Sequence, residues 1–162
     1  MLKKLGVGAY LACATIVLTI VSWIIYGANV LGDGYFHNQG VPYVVLFSIF
    51  AIVCEALALC LGFLKKDGVV GKVISIVQSV LLVGAIVFII ASAINIIGAR
   101  AQGLGFLFGA DENARAEFTA ADFASATGAI VSFVFYMVTW LVALFVPFFG
   151  ITKKEAKVAT AE

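Results

Sequence analysis

Charge is what this sequence has least of. Charged residues make up 12% of its 162 positions and hydrophobic ones 64%, with a mean hydropathy of +1.15. A water-soluble domain of this size has too few polar side chains here to cover its exterior, so that class is excluded. Histidine is nearly absent too: His37 stands alone, in a short polar stretch. With the one histidine in a short loop outside the apolar runs, no Ser-His-Asp or Cys-His constellation is visible, and no catalytic residue is expected. The three cysteines, Cys13, Cys54 and Cys60, fall within apolar runs and form no CxxC pair. They read as small apolar residues, which leaves no metal site, no cofactor site, no redox couple and no disulfide. Ten basic residues against nine acidic ones carry no nucleic-acid footprint.

What the chain does have is length of apolar sequence. A spanning helix needs roughly 20 predominantly apolar residues, and four segments qualify: 5–31, 41–64, 69–98 and 123–151. They occupy nearly all of 1–162, so a single domain is expected. The expected fold class is all-α, an integral membrane four-helix bundle with the lipid bilayer as its first partner. The apolar run after Lys3 and Lys4 extends about 27 residues, beyond the roughly 7–15 of a signal-peptide core, so a retained first span is expected.

The few charges are arranged unevenly. Lys3, Lys4, Lys65, Lys66, Lys72, Lys153, Lys154 and Lys157 fall at one set of span ends, and Arg100 and Arg115 alone fall at the other. The positive-inside rule then puts both termini, the 65–72 connection and the 152–162 tail in the cytoplasm. Asp33, Asp111, Glu112, Glu117 and Asp122 give the outer side an acidic balance. Outer loops without cysteine fit a bacterial inner membrane better than a eukaryotic surface.

Within the spans, small and polar residues recur every three or four positions: Gly8, Ala12, Thr15, Thr19, Ser22, Tyr26 and Asn29 in the first; Ser48, Ala51, Glu55, Ala58 and Gly62 in the second. The third carries Gly71, Ser75, Gln78, Leu82, Ala85, Ile89, Ser92 and Asn95, and the fourth Ser125, Gly128, Ser132, Tyr136, Thr139 and Ala143. Such spacing holds one helix face toward its neighbours, and small residues there let helices approach closely in lipid. Glu55 lies on that face, in mid-span. Ionisable residues in spans are costly and tend to face a bundle interior or a water path, which makes Glu55 the leading candidate site. Counting about 1.5 Å per residue from the cytoplasmic ends puts Glu55 roughly 13 Å deep and Gln78 roughly 9 Å deep. Thr15 and Thr139 fall near the same level, so Thr15, Glu55, Gln78 and Thr139 are expected to form a polar centre. With no cation at that depth, burial disfavours the charged form, and Glu55 is expected to keep its proton unless water or a cation reaches it.

The third connection, 99–122, is the longest. Gly103-Leu-Gly-Phe-Leu-Phe-Gly109 is apolar but too short to span, and reads as an interfacial or re-entrant patch. Asp111–Glu117 suits a short helix on the outer surface between the third and fourth spans, and Thr119-Ala-Ala-Asp122 matches a capping box that starts the fourth. Long connections are commonly functional, and Phe106, Phe108, Asp111, Glu112, Arg115 and Glu117 are the expected docking residues. Two functional readings follow. One is a non-enzymatic accessory, scaffold or assembly subunit, docking another membrane protein or a second copy of itself. The other is a small proton- or cation-coupled transporter or channel with Glu55 as carrier.

Overall fold

A computed structural model of the chain describes residues 6–64 and 68–151. The lysines that set the expected orientation, apart from Lys72, lie outside those residues, as do most of the 65–68 turn and the tail. The described residues form five helices: α1 (Val7–Leu31), α2 (Pro42–Leu64), α3 (Val69–Gly109), α4 (Glu112–Arg115) and α5 (Ala120–Phe145), with a 3₁₀ turn over Val146–Phe148. Four of them are long and apolar enough to cross a membrane. The helices pack as a ring in which α2 lies chiefly on α3, α3 on α5, α5 on α1, and α1 more lightly on α2.

The small-residue stripes turn inward. Ala12, Thr15, Thr19 and Ser22 of α1, Ser48, Ala51 and Ala58 of α2, and Ser132, Tyr136 and Thr139 of α5 are all fully buried. Large apolar side chains such as Ile24, Leu57, Val80, Val87 and Leu141 stand outside. This is the reverse of a soluble bundle and is the arrangement expected of helices in lipid, which accepts leucine and valine and leaves the interior to residues that pack closely or hydrogen-bond. Glycine makes the closest approach possible at one end. A Cβ on Gly8 would lie 2.0 Å from the Phe149 carbonyl oxygen, and the Gly6 N–H donates to the Ile151 carbonyl at 2.7 Å.

Local signals set most helix ends. Pro42 opens α2, where a missing N–H costs nothing. Pro147 lies in the 3₁₀ turn that ends α5. Thr119 and Asp122 form a reciprocal capping box at the start of α5. Hydrogen bonds from the Thr119 hydroxyl and backbone N–H hold the Asp122 carboxyl below its usual range. A carboxyl depressed in the folded state contributes fully above the unfolded value of about 3.9 and loses that contribution as pH falls through its folded value. The Thr119 amide proton, followed by NMR, should therefore titrate with a midpoint under about 3.9; a midpoint at or above it would mean the box is not formed.

One element departs from expectation. The stretch 103–109 is not re-entrant: it continues α3, which runs 41 residues without a break. At about 1.5 Å per residue that is roughly 61 Å, twice the roughly 30 Å of bilayer hydrocarbon. Glycines at 103, 105 and 109 weaken a helix in isolation, but packing compensates here. Leu107 is fully buried with Phe36, Ala126 and Ala129. A Cβ on Gly103 would lie 2.7 Å from the Tyr35 ring and 2.8 Å from that of Phe36. The glycine is what lets the first connection lie against the helix.

Candidate functional site

Glu55 sits inside the bundle, 1% exposed. Its Oε1 lies 2.5 Å from the Thr15 hydroxyl oxygen of α1, and its Oε2 is buried with no partner. The same Thr15 oxygen is 2.9 Å from the Ala12 carbonyl. A threonine has one hydrogen to give. Thr15 donates to Glu55 Oε1, and the backbone carbonyls of Ala12 and Leu11 lie within reach of the same hydroxyl, so its one hydrogen is shared among competing acceptors.

The other two expected members lie elsewhere. Gln78 is buried, but its Nε2 donates to the Ala58 carbonyl at 3.3 Å, one turn along α2 from Glu55. Thr139 pairs with Ser22, oxygen to oxygen 3.1 Å, two turns along α1 from Thr15. Counting about 1.5 Å per residue from the chain end misplaced Thr139, because the chain leaves the α-helix over Val146–Phe148 and rises faster there. The structure therefore joins Thr15 to Glu55 and distributes Gln78 and Thr139 along a longer polar column. Farther along that column Ser48 meets the Tyr136 hydroxyl at 2.6 Å, and the Val41 N–H donates to the Tyr26 hydroxyl at 2.5 Å.

The orphaned Oε2 has an energetic consequence. Glu55→Met keeps the volume, removes the unpartnered atom, and leaves Thr15 bonded to Ala12. Replacing buried polar groups by apolar ones of similar shape is often neutral or stabilising. Thermal unfolding in detergent should show a midpoint equal to or above wild type, whereas a loss of more than about 1 kcal/mol would mean the carboxyl holds the bundle together.

The second candidate region is the far end, where the last turns of α3 pack against the first connection and the start of α5. Phe106 meets Phe118 edge-on at 5.3 Å, Phe118 meets Tyr35 at 6.4 Å and Phe123 at 6.2 Å, and Phe108 lies 6.1 Å from Phe123. Arg115 stands over the Phe123 ring at 5.3 Å. Phe106 and Phe108 nonetheless remain about half exposed. Asp111 caps α4 by accepting from the Ala114 N–H, and Glu112 opens that helix. Glu117 follows α4 on the surface.

Sequence reasoning overlooked Arg100. It is 1% exposed, with the Phe36 ring 4.3 Å from its guanidinium carbon. Its Nη1 donates to Gln39 Oε1 at 3.2 Å and its Nη2 to the Gln39 carbonyl at 2.5 Å, while Nε is buried with no partner. The signal was present: the stripe on α3 continues through Ile96, Arg100, Gly103 and Leu107 at the same three–four spacing. An open groove of about 670 Å³ runs past this point, lined by Tyr35, Phe36, Gln39, Gln102, Gly103 and Phe106.

Comparison with protein-family models, with curated proteins and with solved structures finds no match to this chain. Function must therefore be read from these two regions. Among the described residues, no group of three or more His, Cys, Asp or Glu side chains is placed to hold a metal ion.

Proposed function

We propose that the chain is a non-enzymatic integral membrane protein, an accessory or assembly subunit that docks another membrane component at the far end of its bundle. The observation that carries this reading is the half-exposed pair Phe106 and Phe108, held on the last turns of a continuous helix beside the first connection and the start of α5. Exposed apolar surface on a firm support is a recurrent mark of an interaction site. The lysine distribution supports a topology with both termini in the cytoplasm and this end outside, and the cysteine-poor outer segments fit a bacterial inner membrane. A photo-crosslinking amino acid at position 106 or 108, compared with one at lipid-facing Val80, tests the reading in intact membranes. A discrete adduct at 106 and 108 but not at 80 is expected. One of twice the chain's mass would identify a second copy as the partner. Lipid adducts alone at all three positions would sink the proposal.

A second reading has its own support in Glu55, a fully buried carboxyl with one oxygen free. A carboxyl that exchanges a proton for a cation could couple two fluxes, making the protein a small transporter or channel. Proton flux into liposomes, wild type against Glu55→Gln, decides this. Flux that disappears in the variant would favour transport; equal flux from both, or none, would leave Glu55 as a packing residue.

A further inference from the structure

The Arg100 environment is incomplete as it stands. Of the five N–H donors of a guanidinium, one is given to a neutral amide oxygen and one to a neutral backbone carbonyl, the Tyr26 hydroxyl lies against the group as a further neutral partner, and Nε has no acceptor. No carboxylate is among these partners. A buried charge without an anionic partner is destabilising, and the cost is greatest where water is scarce. The Phe36 ring offsets part of it through its negative face, but supplies no acceptor for an N–H.

The acceptor that Nη1 does have can move. Gln39 is exposed, lies in the first connection, and uses its other amide end to donate to the Tyr35 carbonyl at 2.7 Å. Gln39 and Phe36 are also walls of the open groove, so the groove and the arginine share two side chains. Its volume of about 670 Å³ suits a headgroup-sized ligand. Its walls offer the Gln102 amide and the aromatic faces of Tyr35 and Phe106. An amide beside an arginine suits an oxyanion, and the half-exposed Phe106 suits an apolar chain attached to it.

We propose that this groove binds a phosphate-bearing anion, with Arg100 as its counter-charge and the Gln39 carboxamide as the group it displaces. Two sources share this chemistry: the headgroup of an anionic phospholipid, and a free phosphate. The inference rests on the four long helices crossing a bilayer, which brings lipid phosphates to the level of α3's outer turns. It does not need a protein partner at Phe106 and Phe108.

The test uses the purified full chain in an uncharged detergent. Binding of phosphatidylglycerol, of phosphatidylcholine with the same acyl chains, and of inorganic phosphate is measured by native mass spectrometry and by thermal shift. Phosphatidylglycerol is expected to bind one-to-one, about tenfold tighter than phosphatidylcholine, and to raise the unfolding midpoint. Arg100→Gln is expected to abolish that preference. Should this variant fail to fold, Gln102→Leu, on an exposed residue, keeps the test open: it should weaken phosphatidylglycerol about threefold while leaving the lipid-free midpoint unchanged. Inorganic phosphate that binds with the same dependence on Arg100 or Gln102, without any preference between the lipids, would make the free anion the ligand. Equal affinity for both lipids with no phosphate effect would overturn the proposal, as would a folded Arg100→Gln that binds phosphatidylglycerol like wild type. Because every readout comes from the isolated protein, a failure here is separable from the absence of a docking partner.

Discussion

Replacing Gly34 by alanine is expected to destabilise the bundle by about 2–6 kcal/mol, through two effects that combine at one Cα. Gly34 adopts φ +112, a conformation that costs any other residue of order 1–3 kcal/mol. A Cβ there would also lie 2.3 Å from the Ala121 carbonyl oxygen and 2.8 Å from the Ser125 Cβ. The obstacle is the backbone of α5's first turn, which cannot swing aside like a side chain, so overpacking adds about 1–3 kcal/mol more. The affected contact joins three elements. The Phe36 N–H donates to the Ser125 hydroxyl at 3.1 Å, and Asn29 Nδ2 donates to the Ser125 carbonyl at 2.7 Å. Pushing α5 away from the first connection would loosen both bonds and the Phe36–Leu107 packing with them. Gly27→Ala is the matched control, since nothing lies within 4 Å of the added carbon and its backbone is helical. Unfolding followed by circular dichroism in detergent should separate the two variants clearly. If Gly34→Ala melted within about 1 kcal/mol of wild type, the tight turn against α5 would be wrong.

How far the sequence could be read depended on which physical rule applied. The inward faces of α1, α2 and α5 were legible because lipid imposes one strong condition: small and polar residues must turn away from it. Gly8, Thr15, Thr19 and Ser22, and likewise Ser48, Ala51, Glu55 and Ala58, are buried where their spacing puts them. The capping box at Thr119 was legible because it is purely local. What could not be read was pairing between helices. Thr15 finds Glu55, but Thr139 lies two turns away at Ser22, because the 3₁₀ turn after α5 upsets a depth counted at α-helical rise from the chain end. The length of α3 could not be read either. The stretch 103–109 is apolar but too short to span, which argued for an interfacial or re-entrant patch, whereas packing of Phe36 on Gly103 and of Leu107 against Ala126 carries it on as helix. Arg100 followed from the same error: a charge assigned to a loop gives no reason to look for burial.

Tyr136→Ala is the other substitution with a large expected effect, and its contrast with Tyr136→Phe separates packing from hydrogen bonding. Tyr136 is fully buried at the centre of the main core, with Tyr26, Val44, Ala51, Ile89, Ala93, Ile96 and Ala143. Three of those neighbours are alanines, too short to fill the space a lost ring would leave. Aromatic-to-alanine changes in such settings cost about 3–5 kcal/mol, and this one belongs at the upper end because the surrounding helices are held by other close contacts. Tyr136→Phe removes only the hydroxyl. Its partner Ser48 also lies 2.7 Å from the Val44 carbonyl and can donate there, so no buried donor is orphaned. The cost should be near 0.6 kcal/mol, the average for hydrogen bonds between spans. Unfolding of both variants in the same detergent checks the ratio. Near-equal losses would mean that the hydroxyl, not the ring, secures the core. If packing dominates, a small aromatic such as p-cresol should bind the cavity of Tyr136→Ala and restore part of the lost midpoint, while leaving Tyr136→Phe unmoved. The interior of this bundle is built from residues that fit, and the polar column running through it is then a consequence of close packing more than its cause.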